Sequence, residues 1–136
     1  MIAEHETNEG RETMSIFHKF QDIFNYLLEA PDRETGDEKI KFEQMMTADF
    51  IGTLNNIKNA DTRAAGDKIL EDAIAGTHKR FADELTNIKN APTRKIGNRE
   101  IDSLLVLMNE YAATLVSIKH APSREDGDEI IKNCLV

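Results

Sequence analysis

The chain has 136 residues, a formal charge of −8 from 25 acidic against 17 basic side chains, one Cys and no Trp. With 40% hydrophobic and 31% charged residues, that length suits one globular domain and excludes wholesale disorder. The acidic balance argues against a nucleic-acid partner, since phosphate recognition uses stripes of Lys and Arg.

Residues 1–13, with Glu4, Glu6, Glu9 and Glu12, read as an acidic polar tail, and 14–136 as a single helical domain. The tail does not resemble a basic, then apolar, leader. A lone Cys134 fits a reducing compartment, so the expected location is the cytoplasm. No continuous run approaches the roughly 18 apolar residues of a membrane helix, and no membrane association is expected.

Ile16, Phe20, Ile23, Phe24 and Leu27 step by three and four, which predicts a short helix near 14–29. An octet follows at 30–37, Ala-Pro-Asp-Arg-Glu-Thr-Gly-Asp. Its form, Ala-[Pro/Asp]-[Thr/Ser/Asp]-Arg-x-x-Gly-[Asp/Asn], recurs at 60–67, 91–98 and 121–128. The four alanines are spaced 30, 31 and 30 residues apart, and all three prolines and four of the seven glycines fall inside the copies. The chain is therefore built on a repeat of about thirty residues.

Each octet reads as a helix–helix corner. Lys58, Lys89, Lys119 and His120 precede it, where cations suit the negative end of a helix. Pro cannot continue the helix, and Asp32, Thr62, Thr93 and Ser123 are natural N-caps of the next one. A second parse starts each helix at the Asp or Asn after the Gly. The first is preferred, with the Gly in the first turn, where a missing Cβ admits a close neighbour.

Between corners the spacing is helical throughout. Phe42, Met46, Phe50, Leu54 and Ile57 mark a helix near 33–59. Leu70, Ile74, Thr77, Phe81, Leu85 and Ile88 mark one near 63–90. Ile101, Leu104, Leu105, Met108, Tyr111, Ala112, Leu115 and Ile118 mark a third near 94–120, and a half-length helix closes the chain near 124–134. The expected fold is all-α, an up-down bundle of three long helices and two half-length ones. In it the two halves stack end to end as a split fourth rod. The alternative is that they pair between molecules, as a swapped dimer or a head-to-tail filament.

The repeated Arg33, Arg63, Arg94 and Arg124 carry the sharpest question, because a cation at a helix start opposes the dipole. Three roles are open: an ion pair with the residue four positions on, a fork onto the free carbonyls ending the previous helix, or an anion-binding site beside N-terminal amides. Four equivalent copies favour structure. Metal and cofactor sites are not expected: none of the four His has Glu three residues before it, and no phosphate loop or nucleophile motif is present. His18 and His78 occupy near-equivalent repeat positions and read as surface or satisfied core histidines. Cys134 reads as inert, and Met45, Met46 and Met108 as core filler. Phe17, Phe20, Phe42 and Phe50 are candidates for a partner-docking patch, though dense core is the plainer role.

These features point away from an enzyme and toward an acidic helical module that binds another protein as adaptor or inhibitor. A self-assembling subunit and an anion or small-ligand sensor using the corner arginines are the alternatives.

Overall fold

A computed structural model describes residues 18–135, and the expected acidic tail and Phe17 lie outside them. Among the described residues the chain is all-helical, with no strand: α1 spans 18–28, α2 Arg33–Lys58, α3 Arg63–Ala75, α4 Ala82–Lys89, α5 Arg94–Lys119 and α6 Arg124–Leu135. Four helices start on the corner arginines, as the first parse requires. The caps close as chemistry dictates. Backbone N–H groups donate to Asp32 Oδ1 (2.7 Å, from Thr35), Thr62 Oγ1 (3.1 Å, from Ala65), Thr93 Oγ1 (3.2 Å, from Ile96) and Ser123 Oγ (3.1 Å, from Asp126). Each satisfies one orphan donor of the first turn.

The described residues fall into two compact units. One holds α1, α2 up to Glu43, α5 from Ala113, and α6, and so contains the first and fourth corners. Phe24, Leu27, Ile40, Leu115, Ile118 and Ile131 supply its buried side chains. The other holds the rest of α2, then α3, α4 and α5 up to Ala112, with the second and third corners. Phe50, Leu54, Ile57, Leu70, Leu85, Ile101 and Met108 are its fully buried side chains. Each such burial stabilises by roughly 1.5–3 kcal/mol.

The continuous helix expected over 63–90 is instead a hairpin. α3 ends at Ala75, the Gly76 and His78 amides both donate to the Ala73 carbonyl (3.3 and 3.1 Å), and a 3-10 turn at Lys79–Phe81 leads into α4. The two arms lie side by side: Lys89 Nζ stands 3.0 Å from Glu71 Oε1, whereas 18 residues of unbroken helix would span about 27 Å. The cause is local. Gly76 is a poor helix former, and it comes where the repeat carries its one extra residue.

The split rod does not form either: within the unit that holds both, the first turn of α6 lies beside the last turn of α1, where Arg124 Nη2 donates to the Ala30 carbonyl at 2.6 Å. End-to-end stacking would have brought the opposite ends of these helices together. Although it contains no uninterrupted apolar run of membrane-spanning length, α5 is, by length and composition, apolar enough to cross a membrane. Its buried residues Ile101, Leu104, Met108, Tyr111, Leu115 and Ile118 recur every three or four positions, the stripe of a core helix.

Candidate functional site

Every corner is made the same way. The alanine amide turns back to the carbonyl three residues earlier, at 3.2–3.3 Å (Ala30 to Leu27, Ala60 to Ile57, Ala91 to Ile88, Ala121 to Ile118). No described residue has positive φ, so the bend needs no left-handed glycine. Three of the four corner glycines lie against a neighbouring group instead. A Cβ on Gly97 or Gly127 would stand 3.4 Å from the Ile88 or Ile118 carbonyl, and one on Gly66 would collide with the Arg94 guanidinium.

The arginines link corners in pairs. Arg33 Nη2 donates to the carbonyls of Lys119 and Ala121 at 2.8 and 2.9 Å. Arg124 Nη2 returns the contact to Leu28 and Ala30 at 3.4 and 2.6 Å. In the other unit Arg63 Nη2 donates to Lys89 and Ala91 at 2.9 and 2.5 Å, and Arg94 Nη2 to Ile57. The expected carbonyl fork is therefore real but reaches the partner corner. Arg63 bonds the end of α4, not of α2 before it. A guanidinium at that negative end also offsets its unfavourable place at a helix N-terminus.

The ion pairs four residues on are present too. Arg33 Nε lies 3.2 Å from Asp37 and Arg124 Nε 3.1 Å from Asp128. Arg63 Nε lies 3.8 Å from Asp67, an ion-pair distance but too long for a hydrogen bond, and Asp67 Oδ1 accepts none. Asn98 stands where the third corner would have its Asp, with a buried Oδ1 lacking a hydrogen-bond partner. All four guanidinium forks considered for an anion are engaged by backbone carbonyls of the partner corner, and those of Arg33 and Arg124 by an aspartate as well. Between the first and fourth corners, a recess lined by Leu27, Ile40, Ile118 and Ile131 has about 20 Å³, room for about one water.

Asp32 is held below its ordinary 3.8, first by the Thr35 N–H, then by the Thr35 hydroxyl, with Arg124 adding a smaller push against desolvation. Partial burial raises the Cys134 thiol, which keeps it protonated and unreactive.

The remaining candidates separate cleanly. Phe50 is fully buried and stacks on Phe81 (ring centroids 4.5 Å), and Phe20 is also core. Neither is part of an exposed patch, because each sits on the inward stripe of its helix. Phe42 is 50% exposed. His18 is exposed. His78 is buried at the hairpin turn, with Nε2 donating to Asp49 Oδ2 at 2.8 Å and its ring 5.0 Å from Phe50. Met108 is core, whereas Met45 is 62% exposed, contrary to its expected role as filler. Periodicity could have found it: Met45 lies three residues after Phe42, off the inward stripe of Ile40, Thr47 and Phe50. Among the described residues no group of three His, Cys, Asp or Glu is placed to hold a metal ion.

Comparison with known proteins gives no match, whether to a family model, a curated protein or a solved structure.

Proposed function

We propose that the protein is a non-enzymatic interaction module, an acidic helical adaptor or inhibitor that works in the cytoplasm and docks a partner protein on the outer face of α2. The observation that carries this reading is the pair Phe42 and Met45, half or more exposed on adjacent turns of one helix. Glu38 and Asp49, both exposed, extend the same face at steps of four, three and four residues. Scattered apolar side chains are ordinary on a surface, whereas adjacent large ones rimmed by charge are the mark of a docking face. The complementary partner is a helix with two or three apolar anchors flanked by Lys or Arg, with the opposite charges setting orientation and on-rate.

The repeat supplies the frame. In this reading each unit is a small up-down bundle whose two corners are clamped by their arginines, leaving α2's outer face free.

Affinity capture from host extract with the wild-type chain, Phe42→Ala/Met45→Ala and a Val106→Ala control tests the proposal. A protein retained by wild type and control but lost by the double variant supports it. Identical retention by all three retires it.

A further inference from the structure

The hairpin is a rod in disguise. Counted from its corner arginine, α2 buries positions 7, 10, 14, 17, 21 and 24: Ile40, Glu43, Thr47, Phe50, Leu54 and Ile57. α5 buries the same six positions, from Ile101 to Ile118. Counted from Arg63, the hairpin buries Leu70, Ala73, His78, Phe81, Leu85 and Ile88, which are positions 7, 10, 15, 18, 22 and 25, and in addition Glu84 at position 21. All six rod positions recur once one residue is added between Ala73 and His78, with Glu84 as the one buried side chain outside the pattern. That is where the chain turns, and it accounts for the alanine spacing of 31 among spacings of 30. The segment is a third copy of the rod carrying a single inserted residue. Its stripe of Leu70, Ile74, Thr77, Phe81, Leu85 and Ile88 still runs unbroken at helical spacing, and a helix absorbs one extra residue as a local widening of one turn.

Straightening would part the second and third corners by about 40 Å, leaving Arg63 without the Lys89 and Ala91 carbonyls it now holds. A second copy of the chain offers the identical acceptors. We propose that residues 63–89 have two arrangements, the hairpin of the single chain and a rod that exchanges corners between two chains, and that the protein forms a swapped dimer by opening at Gly76–His78. The exchange remakes every clamp between chains, so only the turn changes, which is the low-cost route to a dimer. The proposal is independent of the docking face on α2.

Lys89 and Glu71 give a direct readout. A carbodiimide activates the Glu71 carboxylate, and the Lys89 amine condenses with it to an amide, with the lost oxygen leaving on the urea. The pair is within one chain in the hairpin and between chains in the swapped dimer. Equal amounts of unlabelled and ¹⁵N-labelled full-length chain are unfolded together, refolded from about 1 μM to about 1 mM, separated by size and cross-linked. The expected result is a dimer fraction that grows with concentration, in which about half of the 71–89 cross-links join a labelled to an unlabelled peptide, as random pairing of equal pools requires. Deleting Gly76 restores the rod's register and removes a poor helix former, and it raises the dimer fraction about ten-fold. Inserting two glycines after Gly76 suppresses it. A wild-type chain that refolds only to monomer over the whole range overturns the proposal, whatever the deletion does. So does a dimer whose cross-links all lie within one chain.

Discussion

The two pairs of corners share one design and differ in how evenly it is carried out. In the first and fourth, Arg33 and Arg124 each hold an aspartate through Nε and each reach two carbonyls of the other corner. In the second and third, Arg63 keeps both carbonyls with Asp67 at the longer 3.8 Å. Arg94 has only Asn98 four residues on, takes the Ile57 carbonyl, and lies across Gly66. The three arginines with an aspartate four residues on reach the carbonyls of the partner corner's alanine and of the residue two before it, whereas Arg94 reaches Ile57, one residue earlier than the alignment of repeats would place it. The uneven pair is also the one closed by the hairpin, whose turn is pinned by His78 and Phe81 against Phe50 and Asp49.

The largest expected effect falls on that pinning. Phe50→Ala removes a fully buried ring and lowers stability by about 3–5 kcal/mol, whereas Phe20→Ala in the other unit, at a site 9% exposed, costs less. Chemical denaturation gives both values. Equal losses would mean that the stacked rings add nothing beyond ordinary burial.

The clamps come next. Arg63→Ala forfeits two charged hydrogen bonds and lowers stability by about 1–3 kcal/mol, with the lower half expected because the side chain is partly exposed. Arg94→Ala, which loses the bond to the Ile57 carbonyl, costs about 1 kcal/mol. Thermal melts that rank Arg94 above Arg63 break the comparison.

Much of this was legible in the sequence, and the rest failed for a definable reason. The corner was readable because each of its parts has its own chemistry: a capping oxygen, a cation for the carbonyls, a glycine for close approach. Pairing of corners was not, because it depends on whether residues 63–90 fold back, and Leu70 to Ile88 keep helical spacing straight through the turn. The signs of the hairpin were the spacing of 31 and the glycine at 76. The burial of Phe20 and Phe50 and the exposure of Phe42 and Met45 could be sorted only by angle around the helix, not by residue type.

A smaller effect sharpens the contrast. Asn98→Asp gives Arg94 the carboxylate the other three corner arginines possess and stabilises the chain by a few tenths of a kcal/mol. A change of zero or opposite sign in the melt would show that the aspartate does not steer the fork.

Acid separates the corners further. The first helix start of the four is capped by Asp32 and the second and third by threonines, which do not titrate. Because the Asp32 carboxyl is lowered in the fold, its contribution is complete above the ordinary value of 3.8 and disappears as pH falls through the lowered one. Asp32→Ser removes that dependence. Amide exchange at Thr35, followed from pH 5 down to about pH 2, is expected to accelerate in the wild type relative to Ala65 and Ile96, and to follow them in the variant.

The central claim, that the arginines lock corners in the pairs first–fourth and second–third, is tested most directly by two double-mutant cycles measured by chemical denaturation. Arg63→Ala and Arg94→Ala loosen the same two corners, so together they depart from additivity by about 0.5 kcal/mol or more. Arg63→Ala and Arg33→Ala share no carbonyl and add within about 0.5 kcal/mol. Additivity in the first cycle, or equal coupling in both, would contradict the account.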